Sequence, residues 1–430
     1  MGNPPIIQPP AQVLELLLRL AKAGHEAFLV GGALRDVLLG RSVQDWDIAT
    51  SASPSEVCAL FPKVILTGAR HGTVTVRLGG LNIEVTTFKG NSLMEDLSHR
   101  DFTMDAMAYD PHTCRLLDPH NGRADLEARL LRGVGEASQR IAEDPLRALR
   151  AVRLAAELEL SWDEQLLSAL REAGPELRRV ALERIKQELE RILLVPRPSE
   201  SLELLMDMGL MREVLPELKQ PDSPAHLSWL FKTVDLVPAR AALRWAALLL
   251  GLENDYSSLL GEGPKEWLGS RAKEVLLRLR ASRKQAEHTA RIIHYHAFEH
   301  LDPGQEGRVR TLIFQAGTHV VEDAILLRKA SLEAAGASTE VLSSMERLLE
   351  KVREILWDPE ALRKLRLVLT GRDVMKILGL PSGPKIGQIL AQMQKAVLLE
   401  PHLNQREALS RFLLEKVGSP PKSGSPVHED

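Results

Sequence analysis

Residues 27–49, AFLVGGALRDVLLGRSVQDWDIA, decide the fold of the N-terminal part of the chain. The apolar start of this stretch predicts a strand that leads directly into Gly31-Gly32, and Ala33–Leu39 has the pattern of a helix. Two glycines at a strand-to-helix turn let backbone amides approach a phosphate closely, and Arg35 lies within reach of a triphosphate. Taken alone, an ordinary tight turn is the commoner explanation. The spacing matches neither G-x-G-x-x-G nor a Walker loop.

Two aspartates, Asp45 and Asp47, follow on the next strand candidate, Trp46–Ala49. Side chains at positions i and i+2 of a strand face the same side, so both carboxylates can bind the same Mg²⁺ ions. A lone D-x-D more often lies in a solvated loop, but its position shortly after the glycine turn favours a metal site. Glu84, inside an apolar run, is expected as a third carboxylate, unless it lies on the solvent face of an amphipathic strand.

A row of arginines follows Glu143-Asp144 in the stretch EDPLRALRAVR. Arg147, Arg150 and Arg153 recur at every third position and therefore lie close to one face of the predicted helix. Arginines beside an aspartate can donate paired hydrogen bonds to a base edge and to phosphates. A solvated helical face, on which Glu143 pairs with Arg147, is the simpler explanation of this stretch alone.

Two further patterns resemble known sites. The triplet HRD at 99–101 is found in protein-kinase catalytic loops. That interpretation requires Asn at position 106, where this chain has Ala, and we reject it.

The stretch HYHAFEH contains His294, His296 and His300, without a nearby cysteine or a familiar zinc spacing. A plain helix surface is therefore favoured over a metal site.

Composition limits the class of protein. The chain has 430 residues, 4% of them aromatic, and only two cysteines, which predicts a helix-rich cytoplasmic protein of several domains. It shows no signal-peptide pattern and no apolar stretch of membrane-spanning length, so no membrane partner is expected. The net charge of −3 argues mildly against a nucleic-acid binder, although the runs 277–291 and 363–372 are basic.

The predicted organisation changes along the chain. The alternating runs 72–78 and 82–88 predict a β-hairpin, so the first 135 residues are expected to be α/β. From Ala142 onward helical periodicity dominates, with breaks rich in Pro and Gly. We therefore expect an α+β protein, in which an α/β head precedes an elongated all-helical part.

Together the motifs strongly resemble the class II tRNA nucleotidyltransferase and bacterial poly(A) polymerase family. The resemblance runs in order over about the first 200 residues, through VGGALRDVLLGR, DWDIAT, TGARHGTVTV, IEVTTF, EDLSHRDFTMDAMAYD, EDPLRALRAVRLAAEL and LERIKQEL. A weaker similarity at LTGRDVMKILGLPSGPKIGQIL resembles the family's tail domain. The implied domains are a catalytic head (1–135), a base-recognising neck (136–198), a body (199–362), a tRNA-binding tail (363–417) and a disordered end (418–430).

The resemblance implies template-independent, Mg²⁺-dependent addition of nucleotides to the 3′ end of tRNA. Asp45 and Asp47 would bind Mg²⁺, with Glu84 as the third carboxylate. Gly32 and Arg35 would contact the triphosphate, and Arg100 and Asp101 would contact the sugar. Asp144 and Arg147 would pair with the base, with Glu143 orienting Arg147. Arg150 and Arg153 would support nucleotide binding. Because Asp supplies acceptors and Arg supplies donors, such a pair can discriminate cytosine and adenine from guanine and uracil.

Three departures from the family pattern stand out. His99 replaces the usual arginine, and Asp105 replaces the usual asparagine, which bears on nucleotide affinity. The third departure is a short connection, since only Lys89–Leu93 separates Phe88 from Met94. In this family, loss of the loop at this place marks enzymes that add two cytidines and stop, because the loop is thought to reshape the base pocket from C to A.

The sequence therefore favours a CC-adding enzyme that uses CTP and leaves the terminal A to a separate A-adding enzyme. Full CCA addition, with ATP as a second substrate, is the alternative. Poly(A) polymerase is disfavoured because a strongly basic C-terminal extension is absent. An inactive RNA-binding protein is disfavoured because the carboxylates are intact.

Overall fold

The computed structural model describes residues 7–43, 45–66, 68, 72–218, 223–254, 256–298 and 301–417. The chain divides into two compact units, one up to Pro216 and one from Glu217. Helices account for 62% of the structure, which confirms the helix-rich α+β prediction. Within the described ranges, no helix is both long and apolar enough to cross a membrane. The predicted disordered end, 418–430, lies outside the described residues.

The first unit contains a mixed sheet in the order β3-β4-β5-β2-β1-β6-β7. Only the contact between β2 and β5 is parallel, and the other neighbours are antiparallel. The strands are β1 Ala27–Val30, β2 Trp46–Thr50, β3 Val64–Ile65, β4 Thr73–Leu78, β5 Leu81–Thr87, β6 Ala108–Asp110 and β7 Arg115–Leu117, with a separate pair β8 Leu130–Leu131 and β9 Ser161–Trp162.

Eleven helices complete the described part of the first unit. They are α1 Ala11–Lys22, α2 Gly31–Leu38, α3 Pro54–Leu60, α4 Leu93–Ser98, α5 Gly122–Glu127, α6 Ala137–Glu143, α7 Leu146–Leu158, α8 Glu164–Glu172, α9 Leu182–Leu193, α10 Pro198–Asp207 and α11 Met211–Val214. Short 3-10 turns occur at Thr103–Asp105 and Gly174–Arg179.

Several local predictions for this unit are confirmed. The β4–β5 hairpin turns at Gly79-Gly80, where both glycines have positive φ. Ser53 caps α3 in a reciprocal capping box with Glu56, so that two otherwise unpaired backbone amides are satisfied. One prediction needs correction, because the region after the head is not all-helical. The strand β9 lies there and pairs in parallel with β8 of the head.

The sheet core positions the head helices. Val30 and Ala49 on neighbouring strands pack in one buried cluster with Leu93 and Leu97 of α4. Because these two leucines lie four residues apart, they share one helical face, and this face fixes α4 against the sheet. The residues that follow α4 are thereby held beside the ends of β1 and β2.

The second unit is helical throughout its described residues. Its core includes a buried cluster around Val309, Ile313 and Leu348 and another around Val374, Met393 and Leu409. The helices are α12 Pro224–Leu236, α13 Ala241–Leu249, α14 Tyr256–Leu260, α15 Glu266–Arg278, α16 Arg283–Tyr295, α17 Glu306–Ala316, α18 Val321–Ala334, α19 Thr339–Trp357, α20 Pro359–Lys364, α21 Gly371–Leu378, α22 Pro384–Leu399 and α23 Arg406–Val417, with 3-10 turns at Leu250–Leu252 and Pro401–Leu403. The division into neck, body and tail stays a prediction.

The prediction of a plain helix surface for the HYHAFEH histidines is wrong for His296. This side chain is fully buried at the end of α16, and its Nδ1 donates to the carbonyl of Ile293 at 2.6 Å. Burial lowers the pKa of His296 from 6.5 to about 4. His294 is half-buried, and His300 lies outside the described residues.

We expect the burial of His296 to make the free energy of unfolding depend on pH. Below pH 6.5 the unfolded chain binds a proton at His296 that the folded chain rejects, so stability falls as the pH drops from 6.5 toward 4. The loss from this group is up to about 3 kcal/mol. Urea unfolding between pH 7.5 and 4 measures it.

His296→Gln should be less stable at pH 7.5 but should lose less stability on acidification than the wild type. His319→Gln, at an exposed histidine of the same unit, is the matched control. Equal pH dependence in the wild type and His296→Gln would show that His296 does not contribute.

Candidate active site

A cavity of about 720 Å³ opens at the end of the sheet where β1 passes into α2. Asp47 on β2 lies opposite Glu84 on the parallel strand β5, so the two carboxylates leave the same face of the sheet. Most of the predicted site residues line this cavity, namely Gly32, Arg35, Asp45, Asp47, Glu84, Arg100, Asp101, Arg150 and Arg153.

The turn between β1 and α2 requires glycine at position 31. Gly31 has φ +70°, and a Cβ built on it would lie 3.0 Å from Asp47 Oδ2. At Gly32 a Cβ would lie 3.2 Å from Arg35 Nη2. The missing side chains therefore leave the first amides of α2 accessible at the cavity wall, where an anion is favoured. The helix begins at Gly31, two residues earlier than predicted.

The surrounding groups only partly compensate the negative charge of Asp47. Burial, together with the negative charges of Glu84, Asp105 and Asp45, raises the pKa of Asp47 to about 7, although the positive charge of Arg100 lowers it. A divalent cation would relieve this repulsion.

The carboxylates also match the coordination that Mg²⁺ usually has in proteins. In the part of the chain that the structure describes, no three or more His, Cys, Asp or Glu side chains form a closed metal-binding cluster. Mg²⁺ is usually bound by one or two carboxylates together with substrate phosphates and water rather than by an all-protein cage. Asp45 and Asp47 beside the Gly31-Gly32 turn suit that kind of site.

The two arginines nearest the carboxylates are held by acidic partners. Arg35 donates from Nη1 to Asp105 Oδ1 at 2.8 Å and from Nε to Asp36 Oδ1 at 3.0 Å. Arg100 donates from Nη2 to Asp96 Oδ2 at 2.9 Å. Both guanidinium groups are mostly buried, so their positions are fixed before any ligand arrives. Asp105, one of the departures from the family pattern, is therefore the direct partner of Arg35.

Asp101 links the head to α7. Its Oδ1 accepts from Arg147 Nε and its Oδ2 from Arg150 Nη1, both at 2.5 Å. Burial alone would raise the pKa of Asp101, but Arg150 and Arg147 hold it below its usual range. The carboxylate therefore stays ionised.

The structure does not place Glu143, Asp144 or Arg147 among the described residues that line the cavity. The Arg147 side chain is only 7% exposed. Besides Asp101, it donates to Glu143 Oε2 at 3.1 Å and to the backbone carbonyl of His99 at 3.2 Å. Glu143 thus contacts Arg147, as the implied orienting role requires.

Three charged residues that contact the predicted site residues were not identified from the sequence. Glu188 on α9 accepts from Arg153 Nε at 2.8 Å and lies 3.5 Å from Arg150 Nε. Arg184, also on α9, binds Asp144, and buried Asp96 binds Arg100. Glu188 had a sequence signal, because it falls among Ile185, Leu189 and Ile192 on the apolar face of α9, where an unpaired charge is costly.

Three family profiles match this chain. The profile of the Poly A polymerase head domain matches residues 27–132, that of an RNA- and SrmB-binding site of polymerase A matches 160–220, and that of tRNA nucleotidyltransferase domain 2 matches 268–413. Together the three profiles extend over most of both units.

Two curated relatives and two solved structures are similar over nearly their full length. The CCA-adding enzyme of Geobacillus kaustophilus (strain HTA426) is 33% identical, covering 95% of this chain and 98% of that enzyme. The CCA-adding enzyme of Lactobacillus johnsonii (strain CNCM I-12250 / La1 / NCC 533) is 31% identical, covering 93% and 96%. The structure of the Bacillus stearothermophilus CCA-adding enzyme in complex with CTP has a TM-score of 0.76 at 30% identity, covering 96% of this chain and 98% of that chain.

The Thermotoga maritima CCA-adding enzyme complexed with tRNA has a TM-score of 0.64 at 21% identity, covering 96% of this chain and 97% of that chain, which shows the shared fold. The ordered motifs, the cavity at the glycine turn and these full-length similarities lead to one conclusion: the chain belongs to the class II tRNA nucleotidyltransferase family.

Proposed function

We propose that this protein adds nucleotides from CTP, and then from ATP, to the 3′ end of tRNA and so completes the CCA sequence. The observation that carries the proposal is the cavity in which Asp45, Asp47 and Glu84 lie beside the Gly31-Gly32 turn and Arg35. Full-length similarity to several enzymes that are named CCA-adding supports the complete product over CC alone.

Asp45 and Asp47 would hold Mg²⁺, with Glu84 as the neighbouring carboxylate. When bound, the metal would activate the attacking 3′ hydroxyl and stabilise the leaving pyrophosphate. The amides at the start of α2 and the guanidinium of Arg35 would bind the triphosphate. Arg100 and Asp101 would contact the sugar, and Arg150 and Arg153 would support nucleotide binding from α7. These groups orient the α-phosphate for in-line attack without a covalent enzyme intermediate.

Asp144 and Arg147 would pair with the incoming base, with Glu143 orienting Arg147. An aspartate accepts from the exocyclic amines of cytosine and adenine and repels the carbonyls of uracil and guanine. Four of the five N–H donors of Arg147 already bind Asp101, Glu143 and two backbone carbonyls, so one donor is left for a base.

Addition of two cytidines alone is the second candidate function. The connection between β5 and α4 favours it. Lys89 N donates to Asp96 Oδ1 at 2.9 Å, and Asn91 N donates to Glu95 Oε2 at 2.6 Å. Ser92 caps α4 through its side chain. Helix α4 therefore binds the connection along its length and leaves little chain that could reshape a base pocket. In this alternative, a separate A-adding enzyme adds the terminal adenosine.

Extension of a tRNA that lacks its 3′ CCA, read at single-nucleotide resolution, tests the endpoint. With CTP and ATP together, we expect two cytidines followed by one adenosine. With CTP alone, addition should stop after the cytidines. Two cytidines and no adenosine in the presence of ATP would overturn full CCA addition and support the CC alternative. A long A-tail with ATP alone would instead indicate poly(A) polymerase.

The carboxylate roles predict a loss of chemistry without a loss of tRNA binding. Asp45→Asn and Asp47→Asn should each lower the rate of cytidine incorporation by roughly 1000-fold, because the charge that would hold Mg²⁺ is removed. Single-turnover incorporation and filter binding of tRNA measure the two effects separately.

Glu127→Gln is the matched control, since Glu127 is an exposed carboxylate of the same unit whose ion-pair partner is Arg123. It should leave incorporation unchanged. Full activity in both aspartate variants would exclude the proposed metal site. A wild type that binds tRNA but incorporates no nucleotide would support an inactive RNA-binding protein.

A further inference from the structure

We propose that Arg184 is a positioning residue that aims the Asp144 carboxylate and thereby sets which base it accepts. The inference rests on the proposed function. Arg184 Nη2 donates to Asp144 Oδ2 at 2.7 Å, and Nη1 donates to Oδ1 at 3.3 Å. The two nitrogens bind the two oxygens as a fork, which fixes the plane of the carboxylate as well as its charge.

The backbone alone does not hold Asp144 in place. The residue lies in extended conformation between α6 and α7, with φ −143° and ψ 94°. Its Oδ1 accepts one further hydrogen bond, from Leu146 N at a long 3.3 Å. Arg184 comes from α9, a different helix, so the fork ties Asp144 to a rigid element. Without it, only the long hydrogen bond from Leu146 N restricts rotation of the carboxylate about its side-chain bonds.

Asp144 is also the more accessible of the two proposed base-reading side chains. Its side chain is 26% exposed and that of Arg184 is 48% exposed, whereas that of Arg147 is 7% exposed. A base can therefore reach the Asp144 carboxylate more readily than the Arg147 guanidinium.

The bidentate contact with Arg184 leaves a defined set of acceptor positions on the Asp144 carboxylate. An ionised carboxylate has about four lone-pair positions, and Arg184 occupies one on each oxygen. Leu146 N occupies a second position on Oδ1, so the position left on Oδ2 accepts from the exocyclic amine of cytosine or adenine and repels the O4 carbonyl of uracil. A carboxylate that turns aside loses this repulsion, because it no longer faces the base edge. Arg184 therefore acts on the choice between CTP and UTP rather than on the transfer chemistry.

The test compares kcat/KM for CTP and for UTP on a tRNA that lacks its CCA end. Arg184→Ala should lower the CTP-to-UTP ratio about tenfold, since a bidentate contact typically contributes this much discrimination or more. Arg184→Lys keeps the positive charge but lacks the fork, so we expect most of the same loss. KM for tRNA should not change.

Arg179→Ala is the matched control, because Arg179 is an exposed arginine that precedes α9 and pairs with Glu176. It should leave the ratio unchanged. Circular dichroism melting checks that each variant is folded.

An equal loss of kcat/KM for CTP and UTP in Arg184→Ala would overturn the inference and leave Arg184 a structural residue. Full discrimination in Arg184→Lys would overturn the fork as its basis, because charge alone would then suffice. Either result leaves the proposed function intact if the wild type extends tRNA. A wild type that incorporates no cytidine would overturn both the proposed function and the inference.

Discussion

The active site depends on the close approach of Gly31 to Asp47. The antiparallel register of β1 and β2 pairs Val30 with Asp47, which brings the next residue, Gly31, against that carboxylate. A Cβ at position 31 would lie only 3.0 Å from Asp47 Oδ2 and 3.3 Å from Arg100 Nη1, so both side chains would have to shift. Because φ is positive as well, only glycine satisfies both the backbone and the space.

The consequences of this contact extend through the head. Asp47 is half-buried among other acidic groups, and Arg100 partly compensates its charge. Arg100 is in turn held by Asp96, which is 2% exposed and also accepts from the backbone amide of Lys89. The carboxylate, the arginine and the start of α4 therefore form one hydrogen-bonded series that the glycine turn makes possible.

The arginines of α7 form a second, equally connected network. Asp101 accepts from two of them, and Glu188 accepts from Arg153. Removing one partner from such a partly buried set leaves an uncompensated charge, which is destabilising. The network therefore holds the arginine-bearing side of α7 in one arrangement relative to the head.

The sequence predicted the parts of this site that depend on local patterns. The glycine turn, the Asp45–Asp47 pair and the β4–β5 hairpin follow from spacing and alternation over a few residues. Contacts between distant segments were not predictable in the same way, because no local pattern indicates that Arg184 meets Asp144 across 40 residues. The burial of Arg147 and of His296 was missed for the same reason, since each depends on which helix packs against it.

The capped start of α4 has a further consequence for how the length of the chain can vary. Phe88 N donates to Thr50 O at 2.8 Å on the sheet side, and Ser92 begins the helix on the other side. Each end of the connection is thus anchored independently of the residues between them. The entropy cost of a longer loop between two fixed anchors grows only with the logarithm of its length. The head can therefore accept insertions at this point without refolding, which makes it a natural position for an evolutionary gain or loss of chain.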